Sequence, residues 1–430
     1  VRAAVARAAA AFPGWRTRPA AERAAILAKA GEQVLAAAEE LASLVTAEMG
    51  KPRKAALGEA QAVGHSLQSQ SELLPALEPA EYREGTLVTQ VVHDPLGVVA
   101  AITPWNFPLS MPETLLSPAL LAGNTVVWKP SEITPRSGER LFRAIAGALP
   151  PGVLELVQGA DETGRALVES GVQMIAFVGS QAVGKSIMQT AGRDLKRLVL
   201  ELGGKDPMVV LEDADLDRAA DFAVNGSFRN AGQVCVSVER IYVHERVADA
   251  FVDKVLERAR RWRVGSGERD DIDMGPMASS AQREHVLAQL ADAKARGARV
   301  LLGGQSVPGP GNFLEPTVVV NVTDDMALMR DETFGPVAAI QRVRDADEAI
   351  TKANSTSFGL GATLWCGDPE RARALASRLD AGMVGVNRSI GGVGGTPWVG
   401  SKQSGFGFVD SPEGLRQFTQ TRKISYEVTT

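Results

Sequence analysis

Two residues of this 430-residue chain carry a thiol, and their settings differ. Cys235 lies in Asn230-Ala231-Gly232-Gln233-Val234-Cys235-Val236-Ser237, between a helical stretch and the apolar run 241–244. Gly232 and Gln233 hold it at an irregular turn, where a thiol can reach a cleft and be tuned as a nucleophile. Cys366 closes the apolar run 362–365 and reads as a small packing residue. A cysteine nucleophile usually wants a base, yet His65, His93, His244 and His285 stand in no relevant context, with no HxxxH or CxxC partners, which also speaks against a metal site. The base must be something else. Glu201 ends the strand-like run 198–200 and is followed by Leu202-Gly203-Gly204, two glycines that permit close backbone approach at a strand end where α/β folds keep their sites. A solvated strand-end carboxylate is the plainer reading. Asn106, in Trp105-Asn106-Phe107-Pro108 after the run 98–102, could donate its amide to a developing oxyanion or simply cap a turn.

A second chemistry lies in the 179–186 segment. Gly179-Ser180-Gln181-Ala182-Val183-Gly184-Lys185-Ser186 fits GxxxxGK[ST], follows an apolar strand and opens a helix, as a P-loop nucleoside triphosphatase would. Such an enzyme also needs a strand-end Asp for magnesium, and the run 208–211 with Glu212 and Asp213 comes too soon after the loop. What survives is a glycine turn and helix N-terminus able to bind a pyrophosphate.

The elements that must position these residues alternate. Strands are expected at 87–92 and 98–102 around an Asp94-Pro95-Leu96-Gly97 turn, then at 126–128, 153–157 and 174–178, with helices after Pro135 and at 162–169 and 182–190 between them. A second series runs 208–211, 216–229 (helix), 241–244, 247–260 (helix), 318–322, 337–343, 362–365 and 383–386. Apolar strands alternating with helices imply parallel sheets covered on both faces. The first twenty-one residues hold four arginines and no acid, a transit-peptide composition, but Val5, Ala8, Phe12 and Trp15 at near-helical spacing favour a structural helix pair. The tail 423–428 is strand-like and has no core of its own, so it is expected to dock elsewhere, as such tails often do on a partner subunit.

Composition removes other classes. The balance of 46 Lys+Arg against 51 Asp+Glu leaves a net charge of −5 and no basic footprint for nucleic acid. No apolar stretch approaches the roughly 18 residues of a membrane span. Two cysteines cannot form a disulfide framework, so a reducing, cytoplasmic setting is expected. At roughly 100–200 residues per domain, two or three domains follow.

Taken together and in order, Pro104-Trp105-Asn106-Phe107-Pro108, Trp128-Lys129-Pro130-Ser131-Glu132, Phe177-Val178-Gly179-Ser180 with Gly184, Leu200-Glu201-Leu202-Gly203-Gly204-Lys205, Gly232-Gln233-Val234-Cys235, Glu332-Thr333-Phe334-Gly335-Pro336 and Gly400-Ser401-Lys402-Gln403-Ser404-Gly405 give the chain its strongest signal. Over nearly its whole length it resembles the NAD(P)-dependent aldehyde dehydrogenase superfamily. The resemblance implies a doubly wound, Rossmann-like cofactor domain (1–83 and 98–203), an α/β catalytic domain (204–402) and a small β element for oligomerisation (84–97 and 418–430). It implies that Cys235 attacks an aldehyde, that Asn106 and the Cys235 N–H hold the oxyanion, and that a hydride passes to nicotinamide. Glu201 then activates the water that hydrolyses the thioester, with no histidine needed. Lys129, Ser131 and Glu132 would serve the adenosine ribose, Gly179 and Ser180 the pyrophosphate, and Glu332 and Phe334 the nicotinamide half, with Thr103, Trp105, Gly159, Gly164, Phe177 and Leu202 completing the cofactor site. Glu132, placed to accept from the 2′-OH, favours NAD over NADP.

The chain departs from the family at Pro397-Trp398-Val399-Gly400, usually Pro-Phe-Gly-Gly, and at Phe408-Val409-Asp410, usually beginning Arg-Glu, both near the substrate mouth or subunit contacts. The family also usually carries a further N-terminal segment ahead of the helix in which this chain starts. Around Cys235 the wording is similar to one branch of succinic semialdehyde dehydrogenases. The better-known branch has an arginine eight residues after the motif asparagine, where this chain has Thr114. With Phe107, Met111, Val234, Val236 and Trp398 as tunnel candidates, an uncharged aliphatic or aromatic aldehyde is expected, a semialdehyde being the alternative. The expected assembly is a homodimer or homotetramer.

Overall fold

The computed structural model describes residues 1–428, built around two large sheets, a three-stranded sheet and a two-stranded pairing of Trp398–Val399 with Phe408–Val409. The strand Val98–Ile102 is buried along its whole length because both faces of its sheet are covered. Alternation sends Val99 and Ala101 into one apolar cluster and Val98, Ala100 and Ile102 into another on the opposite face. This strand pairs in parallel with Thr125–Lys129 on one side and Met174–Gly179 on the other. Leu154–Leu156 and Arg197–Leu202 extend the sheet outward, giving the expected doubly wound order. Because the winding reverses beside Val98–Ile102, a crevice opens beyond the C-terminal ends of that strand and Met174–Gly179. Glu201 sits inside its strand, opposite Val178, not past its end.

The second sheet has seven strands in the order Arg299–Leu302, Thr317–Val320, Val337–Val343, Val238–His244, Asp206–Val210, Gly361–Trp365 and Met383–Val386. All pairings are parallel except that of Arg299–Leu302 with its neighbour. Arg299–Leu302 and the helix Ser280–Ala295 have no counterpart among the expected elements. Only Gly203, Gly204 and Lys205 separate the end of Arg197–Leu202 in the first sheet from the start of Asp206–Val210 in the second. The C-terminal edge of one sheet therefore meets the N-terminal edge of the other.

The three-stranded sheet is antiparallel: Ala80–Glu84, Leu87–Pro95 and Thr419–Glu427. Its hairpin begins at Ala80, within the span expected for the first domain. Asp94 and Pro95, expected in a turn, are still paired, with Gln420 and Thr419. The chain turns at Leu96-Gly97, where Gly97 has φ +136° and both amides donate to Asn124 Oδ1. The C-terminal strand docks on the chain's own hairpin along its full length, because its register is fixed by nine successive residues from Thr419 to Glu427. Thr429 and Thr430 lie outside the described residues. At the other end, Arg2–Arg16 and Ala20–Ala36 are packed helices, with Trp15 buried and its Nε1 donating to Leu120 O at 3.1 Å, so the arginine-rich start is part of the fold.

Candidate active site

The helix Leu216–Phe228, started by Asp215 accepting from Arg218 N–H, delivers the chain into the cysteine turn. Asn230, Ala231 and Gly232 then adopt left-handed φ of 54°, 57° and 70° in succession. For Ala231 that conformation costs roughly 1–2 kcal/mol and needs support from its surroundings. The support is visible. Asn230 Nδ2 donates to Asn106 O and to Gln233 O, each at 3.1 Å, and Gln233 donates back to Asn230 O and accepts from Ala278 N–H. A side chain at position 232 would put its Cβ 2.0 Å from Gly335 O, so the turn is closed against the Glu332–Pro336 segment.

Cys235 is free and half-buried, and its N–H has no hydrogen-bond partner among the described residues. Burial, with Asp206, Glu201 and Glu332 nearby, pushes its thiol up to about 12. Asn106 is buried, and its Nδ2 donates to Gln233 O at 3.1 Å, two residues from the cysteine. Glu201 is buried, with neither carboxylate oxygen hydrogen-bonded among the described residues. Burial, then the charge of Asp410, raises it well above the ordinary carboxylate range.

Two cavities meet at these groups, and a third lies against the residues flanking Cys235. One of about 230 Å³ is lined by Trp105, Asn106, Met111, Gly179, Ser180, Glu201, Leu202, Cys235, Glu332 and Phe334, which brings most of the residues singled out in the sequence to one place. A second, about 20 Å³, is roomy enough for a single water and touches Glu201, Cys235, Met111, Thr114 and Trp398. The third, about 530 Å³, takes in Val234, Val236 and Trp398, the last shared with the second. Phe107 lines none of the three; its ring lies under Lys51 Nζ at 4.0 Å and Arg229 Cζ at 6.0 Å.

The 230 Å³ cavity suits a flat cationic ring and a diphosphate. Trp105 and Phe334 stand edge to face at 5.6 Å across it. Ser180 caps the helix Gln181–Ala191 through Val183 N–H, setting the N-terminal amides at the cavity. Gly203 leaves room only for Glu332, whose carboxylate accepts from Gly204 N–H at 3.1 Å and is raised to about 8 by burial and Glu239. Thr103, Lys129, Ser131, Glu132, Gly159, Gly164 and Phe177 lie outside that lining. Lys129 is buried, with Nζ 3.3 Å from half-exposed Glu132, and Gly164 faces its aliphatic chain. Thr103 Oγ1 accepts from Trp128 Nε1, Ser131 Oγ from Ile133 N–H, and the Phe177 ring underlies Gly179. Gly159 keeps φ +144° beside Thr163. Lys185 does not turn into the loop as a P-loop lysine does; its Nζ donates to Gln403 at 2.7 Å.

Some residues at the site escaped the sequence reading. His285, set aside there, lines the 230 Å³ cavity beside Gln282 and bonds Glu332 O at 3.0 Å. The signal was present: Gln282, His285 and Gln289 recur at helical spacing on one face of Ser280–Ala295. Arg229, six residues before Cys235, lines the 530 Å³ cavity with Asp206 and Phe222 and makes no ion pair among the described residues.

The aldehyde dehydrogenase family profile matches residues 1–424. The chain belongs to the aldehyde dehydrogenase family. Succinate-semialdehyde dehydrogenase (NADP(+)) of Deinococcus radiodurans is 38% identical over 428 residues, 99% of this chain and 90% of that protein. A probable succinate-semialdehyde dehydrogenase (NADP(+)) of Sinorhizobium fredii is 40% identical, covering 98% and 87%. Among solved structures, an NAD-dependent aldehyde dehydrogenase from Sinorhizobium meliloti superposes with a TM-score of 0.96 at 37% identity, covering 99% and 86%. The NAD+ complex of an aldehyde dehydrogenase from Bacillus cereus gives 0.96 at 34%, covering 100% and 89%. An aldehyde dehydrogenase takes a nicotinamide cofactor, and the family sets aside the triphosphatase reading of residues 179–186. No helix among the described residues is long and apolar enough to cross a membrane.

Proposed function

We propose that this aldehyde dehydrogenase uses Cys235 as nucleophile, Asn106 as oxyanion donor and Glu201 as base, and that its substrate carries a distal carboxylate. The observation that carries the mechanism is the meeting of all three at one cavity, with Glu201 Oε1 and Oε2 unpartnered. Cys235, having released its proton to solvent, adds as the thiolate to the aldehyde carbon, and the new oxyanion accepts from Asn106 Nδ2 and Cys235 N–H. When bound, the dinucleotide supplies the hydride acceptor. Glu201 then takes a proton from water, the hydroxide adds to the thioester, and the acid leaves as Cys235 is restored. Aldehyde, NAD and water become carboxylate, NADH and protons.

The cofactor would lie from Lys129, Ser131 and Glu132, past Gly159, Gly164, Phe177, Gly179 and Ser180, to Leu202, Glu332 and Phe334, with Thr103 and Trp105 along the strand end. NAD is preferred on the grounds of Glu132, whose carboxylate would repel a 2′-phosphate, although both relatives named above are called NADP(+) enzymes. In this reading 1–83 and 98–203 bind the cofactor and 204–402 carry catalysis. The proposed compartment is the cytoplasm, since both cysteines are free and need a reducing pool.

For the substrate, Arg229 is a cation without an ion-pair partner among the described residues, at the mouth lined by Val234, Val236 and Trp398, and the relatives' names point to succinate semialdehyde. The uncharged aldehyde remains the second reading, supported by that apolar lining and by Thr114. A panel of succinate semialdehyde, butanal and benzaldehyde, read as kcat/KM with NAD and with NADP, tests all parts. Succinate semialdehyde with NAD should lead, Arg229→Leu should lower that substrate alone by about tenfold or more, and Cys235→Ser should be inactive. Activity surviving in Cys235→Ser would overturn the mechanism, and butanal leading in wild type would overturn the carboxylate.

A further inference from the structure

We propose that Glu239 is a positioning residue that presets the nicotinamide-side wall of the cavity. The proposal rests on the reading of that cavity as the cofactor site. Glu239 follows Cys235 by four residues, on the buried strand Val238–His244, and is not among the residues that line the cavity. Its two carboxylate oxygens hold the opposite wall. Oε2 accepts from Thr333 N–H at 2.7 Å and Oε1 from Phe334 N–H at 2.8 Å. Lys205 Nζ, fully buried, donates to Glu239 Oε2 at 2.6 Å and to Thr333 Oγ1 at 2.8 Å.

The carbonyl side of the same segment is held from the helix Ser280–Ala295. Gln282 Nε2 donates to Thr333 O and Phe334 O, Gln289 Nε2 donates to Glu332 O, and His285 bonds Glu332 O. Thr333 Oγ1 donates to Gln289 Oε1 at 2.7 Å. Side chains thus grip the Glu332–Phe334 backbone on both its donors and its acceptors. The grip has something to resist, because Phe334 has φ +49°, a conformation an aromatic residue adopts only when its neighbours impose it. In that conformation its ring faces Trp105 and Glu332 reaches Gly204 N–H. A buried carboxylate taking three donors, two of them adjacent backbone amides, sets that turn before any ligand arrives, so binding need not bear the cost of ordering it.

The Lys205–Glu239 pair thereby has a purpose beyond stability, which buried ion pairs rarely provide on their own. Glu239→Gln replaces one acceptor oxygen by a donor facing amide donors. Glu239→Asp keeps the charge for Lys205 but withdraws it from the Thr333 and Phe334 amides. Both variants should bind NAD about tenfold more weakly by calorimetry, with kcat at saturating NAD much less affected. The Thr333 and Phe334 amides, protected in unliganded wild type, should exchange faster in either variant, whereas a merely structural role would lower the melting temperature and leave the NAD affinity of the folded fraction unchanged. If Glu239→Gln does not fold, Glu239→Asp decides. Wild-type affinity and exchange in folded Glu239→Asp would overturn the proposal. Failure of wild type to bind NAD would instead overturn the reading of the cavity, and would be seen without any variant.

Discussion

At the scale of single residues, burial raises the proton affinity of both the Cys235 thiol and the Glu201 carboxyl. A nucleophile at about 12 is mostly thiol at neutral pH, so its reactivity in the unliganded protein should follow the small thiolate fraction. Alkylation by iodoacetamide should accelerate about tenfold per pH unit from neutrality to pH ~9 without levelling off. Cys235→Ser supplies the background from Cys366. A plateau below pH ~8 would mean that a cation or dipole stabilises the thiolate and that burial does not govern it. Glu201 makes a separate prediction, because its raised affinity for protons and its lack of partners suit a base acting late. Glu201→Gln should lower steady-state kcat on the order of 10²-fold while leaving a rapid burst of one NADH per Cys235. A burst lost together with kcat would assign Glu201 to the first half of the reaction.

At the scale of elements, the site is held by turns whose backbone tolerates only certain residues. Gly232, at φ +70° against Gly335 O, and Gly58, exposed in the helix Arg53–Gln68 with open space around it, make a matched pair. Gly232→Ala should cost about 1–3 kcal/mol and displace Cys235, cutting kcat. Gly58→Ala should gain about 0.5–1 kcal/mol in urea melts with kcat unchanged. A Gly232→Ala enzyme with wild-type kcat would show that the left-handed turn is dispensable. These turns also explain what the sequence could convey. Strands such as Val98–Ile102 are legible because burial on both faces demands unbroken apolar runs, and Cys235, Glu201 and Asn106 are legible because glycines or prolines stand close by each in the sequence. Ala80–Glu84 was not legible, since a fully exposed strand needs no hydrophobic pattern. Glu239 and Arg229 were not legible either. Each looks like an ordinary charge in the chain, and only the fold shows that one is buried among backbone amides and the other unpaired at a cavity mouth.

At the scale of the whole molecule, the two large sheets close their own cores, but the three-stranded sheet does not. In Thr419–Glu427 only Thr419 is buried, and the strand is an outer one, as is Ala80–Glu84 on the other side of Leu87–Pro95. Ile424 and Tyr426 pair with Gln90 and Val88 and so share one face with them, while Tyr82 and Leu87 lie exposed on the other. Exposed aliphatic and aromatic side chains on a three-stranded sheet with two open edges are a combination that isolated chains avoid, because it invites pairing. A second copy of the chain is the simplest cover, in keeping with the expected dimer or tetramer. Ile424→Lys combined with Tyr426→Lys would place two charges on that face without touching the catalytic cavity. Sedimentation equilibrium at micromolar concentration should find wild type as a dimer or tetramer and the double variant shifted to a smaller species. The cause is desolvation, since an unpaired buried charge costs several kcal/mol. A wild-type monomer, or an assembly indifferent to both lysines, would show that this sheet closes no interface.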